Sequence, residues 1–120
     1  MNKSGIKLAR RRSGGGAVYQ DLGNSVFTFI TPVKKGELPL ASKVVNNKIL
    51  LRALSNLKIK AKVTGRNDIE VDGFKVSGSA YKVDLGKRGI GGRALHHGTM
   101  LLSVDMGAMK NYLNPSKPKL

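Results

Sequence analysis

A tight reversal at Asp72-Gly73 constrains this chain more than any other feature. Asp-Gly suits the two positive-φ positions of a type I′ turn, and the flanking runs at 69–71 and 74–83 have strand character. The two runs must then pair antiparallel. Further β-rich stretches lie at 17–20, at 26–30 before Pro32, at 60–64 and at 94–104, and 6–9 reads as the end of another strand. One segment has a different period. Over 41–57, Val45, Ile49, Leu50, Ala53, Leu54 and Leu57 recur at helical spacing, with Lys43, Asn46, Asn47 and Asn56 largely off the apolar stripe. Ser42 is the expected N-cap. A second, short helix is expected from Asp105 through Tyr112, ahead of Pro115. The pattern is α+β: a mostly antiparallel sheet with one long helix packed on it. At 120 residues the chain has material for one core.

Charge and the missing cysteine narrow the chemistry. Lys and Arg number 22 against 7 Asp and Glu, a formal charge of +15, which attracts polyanions without saying which. Cys is absent, so disulfides, thiolate metal sites and a cysteine nucleophile are excluded. No apolar run is long enough to cross a bilayer, and the first 13 residues lack the apolar core of a signal peptide. A cytoplasmic or mitochondrial location is the expectation, with no membrane partner. Three Phe, three Tyr and no Trp supply a poor stacking platform, so the charge is expected to give weak, salt-sensitive nucleic-acid binding without sequence preference. Lys58, Lys60 and Lys62 are expected to form a basic stripe on one strand face.

Three stretches carry possible chemistry. Three arginines precede Gly14-Gly15-Gly16, where glycines let the backbone approach an anion and arginine forks can grip phosphate or carboxylate. A flexible basic loop explains the same residues. No Gly-Lys-Ser/Thr follows, so this is not a P-loop. In 74–81, strict alternation puts Lys75, Ser77, Ser79 and Tyr81 on one strand face, where a lysine among hydroxyls could hold a phosphoryl or acyl oxygen; a solvated hairpin face is the plainer reading. His96 and His97 are adjacent on a strand and point to opposite faces, which argues for a structural histidine over a shared metal ion. Asn67 and Asp68 could offer oxygen ligands to Mg²⁺ or simply form an Asx turn.

Taken in order, 10–21 (RRRSGGGAVYQD), Leu22-Gly23-Asn24, Phe27-Thr28-Phe29, Gly65-Arg66-Asn67-Asp68, 75–81 (KVSGSAY), 96–101 (HHGTML) and 111–115 (NYLNP) make an ordered set. That set resembles the lipoate-protein ligase A and lipoyltransferase family, of the biotin/lipoate protein ligase fold, from about Ile6 to the last residue. The resemblance implies that lipoate and ATP with Mg²⁺ give lipoyl-AMP, whose lipoyl group passes to a lysine. That lysine belongs to a lipoyl domain of a 2-oxoacid dehydrogenase or to a glycine-cleavage H protein. It implies Lys75 as the catalytic residue, touching both the lipoyl carbonyl and the α-phosphate. Arg11, Gly16, Ala17, Val18 and Tyr19 would join it along ATP and the adenylate, and Ser13 and Gly15 would join it at lipoate. Asn67 and Asp68 would lie on the Mg²⁺ side. The absence of Cys separates the chain from the branch that transfers acyl groups through a thioester.

Three features depart from the family pattern. Gln20 stands where many members have His, and cannot be protonated near neutral pH. The stretch 82–95 reads as a longer, Gly-rich loop. Residues 1–120 read as one segment of the catalytic domain, without the family's N-terminal part and its C-terminal accessory domain. A separate polypeptide supplying the N-terminal part is therefore an expected partner. The remaining alternatives are a lipoyltransferase that uses preformed lipoyl-AMP, and a non-catalytic basic binding protein directed at nucleic acid or acting as a scaffold.

Overall fold

The computed structural model describes residues 5–34, 36–38, 41–65, 68–87 and 91–103. Within them the elements run β1 (Asn24–Val33), α1 (Ala41–Asn56), β2 (Ala61–Thr64), β3 (Asp68–Val71), β4 (Phe74–Asp84) and β5 (Gly92–Leu101). The strands form one antiparallel sheet in the order β1-β5-β4-β3-β2. The architecture is the expected α+β one, with a five-stranded sheet and one helix.

The Asp72-Gly73 turn is present, with φ of 52° and 80° at its two central residues. Just beyond it the alternation slips. Ser77 pairs with Ile69, but Lys75 pairs with Glu70, so Val76 is one residue too many on β4. This bulge turns Lys75 onto the face of Gly78 and Ala80, opposite Ser77, Ser79 and Tyr81, and overturns the single face expected for all four. The expected 82–95 loop is also shortened. Lys82, Val83 and Asp84 pair with Leu95, Ala94 and Arg93, leaving 85–91 as the connection. A side chain at Gly92 would meet the Asp84 carbonyl oxygen at 2.8 Å, so glycine lets the ladder close there.

β1 continues through Pro32 to Val33 where the sequence pointed to a stop. As an edge strand, β1 leaves the proline nitrogen without a ladder partner to satisfy. The runs 6–9 and 17–20 are not strands, because no neighbouring strand pairs with them among the described residues. The second helix expected from Asp105 falls outside those residues.

α1 follows the predicted 41–57 to within a residue, but its inward face differs. Asn46 is buried, while Val44, Val45, Ile49 and Leu57 are half or more exposed. The reason is polar: the Asn46 amide has a hydrogen-bond partner on β5, so burying it is not penalised. Ser42 lies inside the first turn rather than capping it, and its hydroxyl bonds the Tyr81 hydroxyl. The helix ends in a Schellman motif. The Ile59 N–H donates to the Leu54 carbonyl at 2.9 Å and the Lys58 N–H to Ser55 at 2.8 Å, with Lys58 left-handed at φ 60°. Lys58 is therefore a helix stop and Lys60 precedes β2, so the expected stripe of Lys58, Lys60 and Lys62 does not form on one strand.

One sheet face is closed by α1. Phe27, Phe29, Tyr81 and His96 cluster there, with the His96 ring edge-on to Phe27 at 5.6 Å and stacked on Phe29 at 6.0 Å. Gly98 lies under this cluster. A methyl group there would come within 2.5 Å of Phe27 and 2.6 Å of the Gly78 carbonyl oxygen. Among the described residues, no helix covers the opposite face.

Candidate functional site

On the open face, a cavity of about 640 Å³ lies between the sheet and the segment 11–20. Its floor is β4 and β5, and its wall is the glycine turn. Arg11, Gly15, Gly16, Ala17, Val18, Tyr19, Asp68 and Lys75 all line it, so most of the site residues expected from sequence meet in one place. Ser13 is not among the residues that line the cavity. Asn67 lies outside the described residues.

Lys75 owes its place to two features of β4. The bulge aims it into the cavity, and Gly78 leaves room for it: a Cβ at Gly78 would sit 3.2 Å from the lysine Cε and 3.3 Å from Nζ. Its ammonium is 3.2 Å from Asp68 Oδ1. Both side chains keep substantial solvent contact, so the pair adds little to stability and its weight is in the site.

The glycine turn is held by side chains. Arg11 Nε and Nη2 donate to the Gly14 carbonyl at 3.0 and 2.8 Å, and Nη2 also donates to the Gly16 carbonyl at 2.7 Å. Gly15 has φ of 102°, where other residues are strained. At the far end, Asn24 Nδ2 donates to Gln20 Oε1 at 2.6 Å, anchoring the segment to β1. The Asp21 carboxylate accepts from the Gly23 N–H at 2.8 Å in an Asx turn that leads into the strand. Gln20 thus acts as an acceptor for Asn24, a role that needs no proton.

The two histidines part as alternation requires. His96 is buried on the helix side. Asn46 Nδ2 donates to its Nδ1 at 3.3 Å, which leaves the proton on Nε2 to donate to Ser79 Oγ at 3.0 Å. Burial holds this imidazole below its usual 6.5, helped by the Lys43 ammonium and by His97, which fits the neutral tautomer. His97 faces the cavity, a position the sequence reading gave no role. Its Nε2 is buried without a hydrogen-bond partner among the described residues, as is Asn24 Oδ1, and both residues line the cavity. Buried polar atoms left open around one cavity mark a surface suited to a polar ligand. Alternation along β5 was the signal that could have found His97, with Thr99 and Leu101 beside it.

No group of three or more His, Asp or Glu capable of holding a metal ion occurs among the described residues. Among the described residues that line the cavity, Asp68 is the one carboxylate. No helix among the described residues is long and apolar enough to cross a membrane.

Comparison with known proteins bears on what this cavity is. Residues 1–119 match the lipoyl protein ligase A/B catalytic domain. The chain is 48% identical to lipoate-protein ligase A of Blochmanniella floridana and 46% to that of Blochmanniella pennsylvanica. Each match takes in the whole chain and 34% of the relative, so the chain spans about a third of the length of these relatives. Among solved structures, P. falciparum LipL1 in complex with lipoate is similar at a TM-score of 0.71 and 41% identity, covering 99% of this chain and 32% of that one. A bi-partite lipoate protein ligase from Thermoplasma acidophilum reaches a TM-score of 0.75 at 30% identity, over 92% of this chain and 41% of that one. With sheet, helix and glycine-walled cavity in place and nearly every residue matched, the chain belongs to the lipoyl protein ligase A/B catalytic-domain family.

Proposed function

We propose that this chain carries the adenylate-forming site of a lipoate-protein ligase. The supporting observation is the meeting in one cavity of the glycine turn, Lys75 and Asp68, in a chain of this family. Relatives named lipoate-protein ligase A, a lipoate complex and an ATP-bound lipoate-protein ligase A among the similar structures point the same way.

The chemistry has two steps. A lipoate carboxylate oxygen attacks the α-phosphorus of ATP, the bond to the bridging oxygen breaks, and pyrophosphate leaves. The neutral ε-amine of an acceptor lysine then attacks the carbonyl carbon of lipoyl-AMP. The bond to the phosphate oxygen breaks, AMP leaves, and the amine gives up its proton. Negative charge grows on phosphate oxygens in the first step and on the acyl oxygen in the second. Lys75, solvent-exposed in its pair with Asp68 and seated over Gly78, supplies a cation to both. Backbone groups of Gly16, Ala17, Val18 and Tyr19 line the adenylate in this reading. Among the described residues Asp68 is the carboxylate at the cavity, and it would hold a Mg²⁺ bound mainly by substrate phosphates, which would neutralise phosphate charge. Acceptors in this reading are lipoyl domains of 2-oxoacid dehydrogenases or a glycine-cleavage H protein.

The exposed apolar side chains of α1, with Val26 and Ile30 on β1, favour a further partner: polypeptide carrying the rest of the family's architecture, in the manner of a bi-partite ligase. The test is incubation with lipoate, ATP and Mg²⁺, with and without that polypeptide, followed by mass spectrometry. Lipoyl-AMP in either mixture is the expected result. Its absence from both would overturn the reading. Transfer from added lipoyl-AMP without synthesis from ATP would identify a lipoyltransferase instead.

A further inference from the structure

The end of the sheet beyond the cavity gathers positive charge. Ala80 and His97 line the cavity and pair across β4 and β5. The next pair on that face is Lys82 with Leu95, and the one after it Asp84 with Arg93. Lys82 and Arg93 therefore stand on the cavity side, roughly 7 and 14 Å along their strands from the cavity floor. Lys34 directly follows β1, whose Val33 pairs with Gly92, and Lys87 lies in the connection between β4 and β5. Lys34, Leu85 and Gly92 line one small hollow, which brings the end of β1 and that connection together. All four cations are exposed, and none forms an ion pair among the described residues. The two carboxylates nearby are engaged by backbone amides. Glu37 accepts from the Lys34 N–H at 3.1 Å, and Asp84 from the Gly86 N–H at 2.9 Å. Four cations against these two carboxylates leave this end positive.

An acceptor protein must bring one lysine to the cavity. The surface around that lysine then lies against what borders the cavity, and Lys82 is the next residue on the cavity face of β4. Exposed cations there repel a basic surface and favour one rich in Asp and Glu. We propose that Lys34, Lys82, Lys87 and Arg93 form a docking surface for the acceptor protein, which meets it with carboxylates beside its acceptor lysine. This rests on the reading of the cavity as an adenylate-forming site. Leu85, exposed among the cations, adds the apolar contact usual in a protein interface. Nucleic acid fits the patch less well. The rings of Phe27, Phe29 and Tyr81 lie on the α1 face, so bases would find no ring to stack on beside Lys82 and Arg93.

The test pairs two double variants of equal charge change: Lys82→Glu/Arg93→Glu in the patch, and Lys60→Glu/Lys62→Glu at the β2 edge of the sheet. Binding of an apo lipoyl domain to the full chain is measured without ATP or lipoate, at low and at physiological salt. The patch variant should bind about ten- to a hundredfold more weakly, through slower association, and should lose most of the salt dependence. The β2 variant should stay within about threefold of the unaltered chain, because charges beyond a Debye length are screened. Lys34→Glu/Lys87→Glu, on the two loops, should act as the patch variant does, and it decides the matter if reversal on the strands prevents folding. Changing the carboxylates nearest the domain's acceptor lysine to amides should weaken binding to the unaltered chain and add little to the patch variant, since both remove one contact. Equal losses at the patch and at β2, binding that patch reversal leaves unchanged, or binding to a DNA oligonucleotide but not to the domain would each overturn the proposal. The binding measurement needs no adenylate. A chain that binds the domain through this patch but makes no lipoyl-AMP would count against the functional reading alone.

Discussion

The two faces of the sheet solve opposite problems with the same strands. On the α1 side, β1, β4 and β5 present Phe27, Phe29, Tyr81 and His96, and the space is filled by rings and a buried polar chain from Asn46 through His96 to Ser79. On the other side the strands present Gly78, Ala80 and Thr99, and room is left for Lys75 and the glycine turn. Side chains that complete a hydrogen-bonded network rigidify one face. Small residues beside unpartnered polar atoms leave the other face ready for a ligand. The comparison teaches that glycine has two uses here: Gly98 lets the closed face pack, and Gly78 lets the open face stay open.

Breaking the open face should have the largest effect and leave the closed face untouched. Lys75→Ala should lower lipoyl-AMP formation by about 10²- to 10³-fold, the usual consequence of removing one group that stabilises transition-state charge. Thermal melting should change little, since the lysine is well exposed and its ion pair is solvated. Near-normal turnover would remove Lys75 from the reaction.

Breaking the closed face should do the reverse. Gly98→Ala drives a methyl group into Phe27 and the Gly78 carbonyl, an overpacking cost of about 1–3 kcal/mol. A denaturant titration should show a lower midpoint with an unchanged slope. An unshifted midpoint would mean that the Phe27 ring is free to move away.

The closed face should also register pH. His96 is held below its ordinary value, mainly by burial, so the unfolded chain takes up its proton first as pH falls. The unfolded state then binds more protons, and stability drops with decreasing pH. The contribution of His96 should be complete above about pH 6.5 and decline below it. His96→Gln keeps a donor and an acceptor but does not titrate. If it shows the same acid-side loss in chemical denaturation, His96 is not the source.

The smallest effect lies off both faces and so sharpens the comparison. Lys58→Gly relieves the left-handed residue that ends α1 and should stabilise the chain by about 1 kcal/mol without altering turnover. A change in turnover would mean that the helix end is coupled to the cavity.

Much of this was legible in the sequence because it is local. Asp72-Gly73 dictates a hairpin by φ preference, the helical spacing of 41–57 sets α1, and adjacent His96 and His97 must part on a strand. The ordered motifs named the residues that meet at the cavity. Lys75 shows where local reasoning failed: alternation assigned it to the wrong face, because a bulge depends on the pairing of β4 with β3. Asn46 failed likewise, since a polar residue is buried when a partner 50 residues away accepts its hydrogen bond.

The sequence by itself thus determined the α+β class, α1, the Asp72-Gly73 hairpin and the parting of the two histidines, all of which follow from turn chemistry, periodicity and alternation. The tertiary structure alone decided which face Lys75 serves, that Arg11 donates to carbonyls of its own loop, and that His97 rather than His96 reaches the cavity. Each of these depends on strand register or on space left by a distant glycine, and contacts between residues far apart in the chain leave no local pattern to read.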